Sequence, residues 1–315
     1  MGMALDEFTL IRRYFSPPTA RGDVTLGVGD DAALLTPAPG QELAVTTDTL
    51  LAGVHFPDDL SPESVGYRAL AVNLSDIAAM GAAPCWATLA LSLPRPDEIW
   101  VAAFARGFLE LADEFGVALV GGDTVKGPLG ITVQVIGQVP VGKALRRAGA
   151  RPGDAVMVSG VTGLAAAALQ LRAAGRPVPE SLARRFDRPY PRIALGLALR
   201  DRANACIDVS DGLAADFVHI LTASGCGATL DVEKLAIPAQ GDAFTVDQRL
   251  SLALDGGDDY ELCFTCTAQS AATLKDDPVF AGCRRIGVVE SRPGLRLRTA
   301  DGGCSEYRGH GYRHF

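Results

Sequence analysis

The sequence predicts two mixed α/β domains, the second of α+β type, and three observations carry that expectation. The 315 residues are 48% apolar and 21% charged, an ordinary globular balance over about twice the length of a typical domain. Helix-like and strand-like periodicities alternate through both halves, the pattern of sheets covered by helices. A polar, turn-rich stretch at 146–153 (RRAGARPG) interrupts them near the middle and places the boundary there. The first domain then spans 1–147 and the second 148–315.

Residues 1–15 set Phe8, Leu10, Ile11, Tyr14 and Phe15 among Asp6, Glu7, Arg12 and Arg13, which makes an amphipathic helix and not a secretory leader. Ser61-Pro62-Glu63 supplies an N-cap, a first-turn proline and a first-turn acid for a helix running towards Met80-Gly81. Pro96-Asp97-Glu98 opens another, with Ile99, Val101, Ala102, Phe104, Phe108, Leu109, Leu111 and Phe115 on one broad face and Gly116 ending it. Strands follow at 117–120 and 131–136. The second half reads as a strand at 155–159, a helix at 162–174 stopped by Gly175, and a helix at 192–202. A strand at 205–209 and a helix at 212–223 ended by Gly225 come next, then strands at 260–267 and 285–289 flanking a helix near 269–274.

A formal net charge of −8 argues against a nucleic-acid or anionic-membrane surface, either of which needs a basic patch. No apolar stretch is long enough to cross a bilayer. The seven cysteines, Cys85, Cys206, Cys226, Cys263, Cys266, Cys283 and Cys304, are odd in number and scattered through apolar context. That suits reduced thiols in a cytoplasm. Cys263 and Cys266 form a C-x-x-C inside an apolar run with no second pair, and read as buried strand, not as a zinc or redox site.

The acids are the informative feature. Asp30-Asp31, Asp48, Asp123, Asp208, Asp211 and Asp258-Asp259 each follow an apolar run, many beside Gly, Ser or Thr, and Asp76 lies three residues after Asn73 on one helical face. A single such Asp commonly just bonds its own turn. Repetition points instead to several carboxylates converging around cations. Hard oxygen donors of this kind, with hydroxyls such as those of Thr46 and Thr47, suit Mg²⁺ or Mn²⁺, and the usual partner of several such ions is a polyphosphate. The sequence has no G-x-x-x-x-G-K-[ST] loop, no full dinucleotide fingerprint after Gly27-Val28-Gly29, no G-x-S-x-G elbow and no H-E-x-x-H. A P-loop kinase, a Rossmann dehydrogenase, a serine hydrolase and a zincin are therefore disfavoured.

Seven segments occur in order: Gly27-Val28-Gly29-Asp30-Asp31-Ala32, Thr46-Thr47-Asp48-Thr49, Gly53-Val54-His55-Phe56, Asn73-Leu74-Ser75-Asp76-Ile77-Ala78-Ala79-Met80-Gly81, Gly121-Gly122-Asp123-Thr124, Asp208-Val209-Ser210-Asp211-Gly212-Leu213 and Gly256-Gly257-Asp258-Asp259-Tyr260-Glu261-Leu262. The series closely resembles the thiamine-monophosphate kinases, within the ATP-binding superfamily that includes aminoimidazole-ribonucleotide synthetase and selenophosphate synthetase. It covers nearly the whole chain, to Gly311-Tyr312. The resemblance implies direct in-line transfer of the γ-phosphoryl group of ATP to thiamine monophosphate, with several Mg²⁺, as the last step to thiamine diphosphate. It implies Asp31, Thr46, Thr47, Asp48, Asp76, Asp123, Asp208 and Asp211 as Mg²⁺ ligands, and Gly122, Asp123, Arg147 and Ser210 as nucleotide contacts. His55, Asp258 and Tyr312 are implied as contacts to the thiamine substrate, and Asp48, Asp123, Asp211 and Arg147 as the catalytic set. A cytoplasmic homodimer joined through its N-terminal domains is implied as well.

Two features depart from the family pattern. Asp258 stands where a Glu is usual, and 159–164 is shorter than the expected glycine-rich turn. Two other readings stay open: a superfamily member with another acceptor, and a non-catalytic Mg-nucleotide sensor.

Overall fold

The computed structural model describes residues 7–19, 21–235 and 243–307. The chain divides into two compact units, one holding the chain up to Ile77 together with 82–142, the other holding 78–81 and everything from Lys143 onward.

In the first unit, helix α1 (Glu7–Tyr14) precedes a short antiparallel ribbon of β1 (Val24–Leu26) and β2 (Leu34–Leu35). Then come β3 (Gln41–Leu51), α2 (Pro62–Ala79), β4 (Ala83–Leu93), α3 (Glu98–Glu114), β5 (Ala118–Lys126) and β6 (Gly130–Pro140). The four long strands form one sheet in the order β3-β6-β4-β5, with β4 and β5 parallel and the other pairs antiparallel. Both long helices start where the caps predict: the Ser64 N–H donates to Ser61 Oγ, and the Trp100 N–H donates to Asp97 Oδ1. They meet through two glycines. A Cβ on Gly66 would lie 2.0 Å from the Phe104 carbonyl oxygen, and one on Gly107 would lie 1.9 Å from that of Glu63. Only glycine lets the two backbones approach so closely.

The structure corrects three details of this half. Ile99 is 85% exposed, because the buried stripe of α3 is Val101, Phe104, Ala105, Phe108, Leu111 and Ala112, and Ile99 projects from the other side of the turn. Strand β4 was not foreseen. Strands β3 and β5 do not stop before their acids but run through them, since a ladder continues as long as the backbone pairs. β3 is matched to β6 without interruption from Gln41 opposite Pro140 to Leu51 opposite Gly130.

The second unit contains β7 (Ala155–Val158), α4 (Leu164–Ala173), α5 (Glu180–Asp187), α6 (Ile193–Leu199), β8 (Ala205–Asp208), α7 (Leu213–Ser224) and β9 (Gly227–Asp231). It continues with α8 (Val246–Asp255), β10 (Leu262–Cys266), α9 (Ala268–Leu274), β11 (Arg284–Glu290), β12 (Gly294–Arg298) and β13 (Cys304–Glu306). Its mixed seven-stranded sheet has the order β13-β12-β9-β11-β7-β10-β8. Phe217, Ile220 and Leu221 of α7 pack with Val156, Ile207, Ala228 and Ile286 from the strands into one core. Gly225 ends α7 in the left-handed conformation, at φ 65°. Helices α5 and α8 are additions to the expectation. The apolar run Leu252–Asp255 that precedes Asp258-Asp259 is the last turn of α8, which starts at a Thr245/Gln248 capping box.

Candidate active site

In the first unit, the pleat of β3 sorts its side chains. Thr46 and Asp48 point to the α2 side, where Asn73 and Asp76 present themselves one turn apart. Thr46 Oγ1 donates to Asp76 Oδ2 at 2.5 Å, and the Asp48 N–H donates to Asn73 Oδ1 at 3.1 Å. The Asn73 amide nitrogen in turn donates to the Ala69 carbonyl at 3.0 Å, which fixes which end of the amide faces β3. Thr47 falls on the opposite face, where its hydroxyl accepts from Gln134 Nε2. The structure thus groups Thr46, Asp48 and Asp76 and separates the Thr47 side chain from them.

Asp123 sits in the middle of β5, past a register shift that leaves Val120 unmatched between Leu119 and Gly121. Gly122, at φ 151°, is required here: a Cβ would lie 1.8 Å from the Leu89 carbonyl oxygen. Asp123 Oδ1 accepts from the Thr124 N–H. A pocket lined by Ile11, Phe15, Leu89 and Leu119 also takes in Gly122 and Asp123. Asp31 lies on an exposed turn, its N–H donating to Asp30 Oδ1. His55 closes a tight turn after β3, with Nδ1 accepting from the Leu51 N–H at 3.0 Å. A neutral ring in this position therefore carries its proton on Nε2.

In the second unit, two loops meet. Asp208, 6% exposed, ends β8. The following turn, 209–212, runs against 256–261. The Asp258 N–H donates to the Ser210 carbonyl, the Tyr260 N–H to that of Val209, and the Val209 N–H to that of Glu261, each at 2.8 Å. Asp258 and Tyr260 adopt left-handed backbone, at φ 68° and 52°, a cost that non-glycine residues bear mainly at ligand sites. The Tyr260 hydroxyl donates to Asp258 Oδ1. Asp208, Ser210, Asp211 and Asp258 are therefore brought onto neighbouring loops. Arg147 is exposed on the 146–153 segment, and its main-chain carbonyl accepts from Ser224 Oγ. Tyr312 lies outside the described residues.

Sequence reasoning missed Asp216 and assigned no role to Asp259 and Glu261, the acids behind these loops. Asp216 Oδ2 accepts from the N–H groups of Ser210 and Asp211, and burial foremost pushes its carboxyl up to about 7. Asp259 Oδ2 accepts from the Gly163 N–H, and burial raises its carboxyl well above the ordinary range. Glu261 accepts from Ser159 Oγ, Arg185 and both Nε and an Nη of Arg192. The signal was faint: Asp216 looks like an ordinary first-turn acid of a helix. The expected C-x-x-C reading does hold. Cys263 and Cys266 are both buried in β10, three apart and so on opposite faces.

The donors present, the Thr46 hydroxyl bonded to Asp76 and the carboxylates of Asp48 and Asp76, are hard oxygens, as Mg²⁺ requires. Among the described residues, no three Asp, Glu, His or Cys side chains form a preassembled cage.

Comparison with known proteins decides the family. Residues 29–139 match the N-terminal domain of AIR synthase related proteins, and 151–299 match the C-terminal domain. The thiamine-monophosphate kinase of Escherichia coli K12 is 50% identical over 273 residues, covering 84% of this chain and 83% of its own. The chain belongs to the thiamine-monophosphate kinase family. The thiamine-monophosphate kinase of Haemophilus influenzae is 44% identical over 302 residues, covering 93% and 92% of the two chains. A crystal structure of the thiamine-monophosphate kinase from Stenotrophomonas maltophilia K279a superposes with a TM-score of 0.86 at 46% identity, covering 94% of this chain and 97% of that one. AaThiL, solved in complex with AMPPCP and TMP, has a TM-score of 0.77 at 33% identity, covering 91% and 92%. Outside the thiamine-monophosphate kinases, Escherichia coli HypE reaches a TM-score of 0.76 at 22% identity, a likeness of fold alone.

Proposed function

We propose that the chain transfers the γ-phosphoryl group of ATP directly and in line to the phosphate of thiamine monophosphate, giving thiamine diphosphate and ADP, the last step in making that cofactor. Beside family membership, the observation that carries this reading is the anchoring of β3 on α2: two carboxylates and a hydroxyl are gathered on one rigid face by Asn73 and Asp76. In this reading Asp31, Thr46, Thr47, Asp48, Asp76, Asp123, Asp208 and Asp211 hold several Mg²⁺ ions, Thr47 through its main chain because its hydroxyl is turned away. Held there, Mg²⁺ would supply charge neutralisation for the phosphates.

The attacking group is a phosphate oxygen, ionised near neutrality, so the chain needs no strong base. Its residues position and stabilise. Gly122, Asp123, Arg147 and Ser210 contact the nucleotide, and the exposed Arg147 guanidinium is free to neutralise phosphate charge. His55, with Nδ1 engaged by the Leu51 N–H, offers Nε2–H as a donor to the thiamine substrate. Asp258 accepts from an amine of the substrate, and Tyr312 stacks on a ring. With one methylene fewer than Glu, Asp258 changes the reach and not the chemistry. Domain roles follow: 1–147 binds metal and nucleotide and dimerises, while 148–315 completes nucleotide and substrate binding.

We place the homodimer contact on the first unit. Leu43 and Val45 are 49% and 57% exposed on the face of edge strand β3 that turns away from α2, an apolar surface that a second copy would cover. The acidic, thiol-rich composition and the family suit a cytoplasmic setting, and among the described residues no helix is long and apolar enough to cross a membrane.

Phosphorus NMR of the protein with Mg-ATP, with and without thiamine monophosphate, tests the activity. Acceptor-dependent thiamine diphosphate and ADP are expected, abolished in Asp48→Asn and Asp211→Asn. ADP and free phosphate without thiamine diphosphate would point to another acceptor of the superfamily, and nucleotide binding without turnover to a sensor.

A further inference from the structure

We propose that Asp216, which the motif series does not include, is a positioning residue for the phosphoryl-transfer site: it fixes the main chain of Ser210 and Asp211 so that the two side chains are presented together. The inference rests on the function proposed above for what those side chains do, and on geometry for how they are held.

One carboxylate oxygen, Asp216 Oδ2, accepts from two successive amides, Ser210 N–H at 2.9 Å and Asp211 N–H at 3.0 Å. Asp216 is 3% exposed and belongs to the first turn of α7, whose Phe217, Ile220 and Leu221 are locked in the core. The acceptor therefore sits on a rigid element, and the turn it holds does not. Ser210 is held on both sides of its Cα: its N–H reaches Asp216 and its carbonyl accepts from the Asp258 N–H at 2.8 Å. The path between turn and helix admits little else. Gly212 lies at φ 122°, and a Cβ there would come within 2.9 Å of the Asp255 main chain.

α7 itself has no side-chain cap at Gly212. Asp216 reaches back beyond the helix, past Gly212, to amides of the turn, as the acid of a capping box reaches its N-cap. Removing the acceptor would leave two inward-facing N–H groups without a partner, and the turn would move to find one. What the contact needs is an acceptor oxygen at that point. An amide can supply it.

The test compares Asp216→Asn and Asp216→Ala in the full chain, reading kcat, the Mg²⁺ concentration for half-maximal rate, the KM for thiamine monophosphate, and deuterium uptake of the 209–212 amides. Asp216→Asn is expected to keep kcat and Mg²⁺ half-saturation within threefold of wild type. Asp216→Ala should lower kcat at least tenfold and raise Mg²⁺ half-saturation at least tenfold, with KM for thiamine monophosphate within threefold. Its 209–212 amides should exchange faster while core amides of α7 stay protected. Wild-type kinetics in Asp216→Ala would overturn the proposal, as would Asp216→Asn damaged tenfold or more. If Asp216→Ala does not fold, Asp216→Asn decides alone by the same threshold. A wild-type protein that makes no thiamine diphosphate would refute the kinase reading, and the deuterium-uptake comparison would still decide this one.

Discussion

Replacing Glu261 with Gln should destabilise the second unit and loosen its 256–261 loop. The Glu261 side chain is 1% exposed and accepts four hydrogen bonds, from Ser159, Arg185 and twice from Arg192. Gln keeps the shape but turns one oxygen into a donor. If its remaining oxygen keeps the two Nη donors, the amide nitrogen faces Arg192 Nε, which loses its partner. Hydrogen bonds to a charged group contribute about 1.5–3 kcal/mol each, and the arginines, 28% and 29% exposed, recover part of that from water. The net loss is about 3 kcal/mol, or about 6–12 °C in melting temperature for a unit of this size. A thermal melt at pH 7 measures it, and a change under 2 °C would refute the assignment of the network as a stabilising clasp. The pH dependence gives a second check. Burial alone would raise the carboxyl of Glu261, but hydrogen bonds and charge from Arg192, then Arg185, outweigh it and hold it below its ordinary 4.5. Its stabilisation is complete above that value and disappears as pH falls through the lower, folded one. The Gln variant should therefore be weaker at pH 7 yet lose less stability on acidification than the wild type. An equal acid loss in both would show that Glu261 is not the titrating group.

Gly122→Ala puts a methyl group against the Leu89 carbonyl, and we expect about 2–4 kcal/mol of destabilisation and a raised KM for ATP in steady-state assays. Thr46→Val removes the hydroxyl bonded to Asp76 at near-constant volume, so stability should fall by only about 1 kcal/mol while the Mg²⁺ concentration for half-maximal rate rises at least tenfold. Burial pushes the thiols of Cys266 and Cys283 up to about 11 and about 12. Thiol reagents should therefore modify the exposed Cys304 in the native protein and reach the five buried cysteines only after unfolding, as mass mapping would show.

Much of the fold was legible because its punctuation is local. Ser61 and Asp97 start α2 and α3, and Gly225 ends α7, each through contacts within a few residues. What was not legible depended on partners distant in sequence. β3 continues through Asp48 because β6 pairs with it for eleven residues, and nothing in residues 41–51 announces that. Leu252–Asp255 stands out as an apolar run because the burial of α8 falls on three consecutive residues, Leu252, Ala253 and Leu254, at the helix end. For the site, the motifs named the acids proposed above to carry chemistry, since these stand beside Gly, Ser and Thr in recurrent segments. The anchoring roles of Asp216, Asp259 and Glu261 were not legible: their targets are main-chain amides, a serine and arginines up to 102 residues away, and a main-chain amide has no sequence signature.

The two units solve one electrostatic problem in different ways. If the acids bind cations as proposed, the chain must keep them apart before the cations bind and must fix where each one points. In the first unit strand geometry does this: alternation puts Thr46 and Asp48 on one face and Thr47 on the other, and hydrogen bonds to residues of α2 stop β3 from slipping by one residue, which would exchange those faces. In the second unit no strand carries the acids past Asp208, so position comes from short loops held by buried groups behind them. Asp216 holds one loop by its amides, Asp259 and Glu261 hold the other, and the left-handed residues Asp258 and Tyr260 are tolerated because neighbouring main chain pins both their amides. The two designs should fail differently. Damage to the β3–α2 contacts should cost metal affinity with little loss of fold, whereas damage to the loop anchors should cost both together, because the groups that aim the second unit's acids also belong to its core.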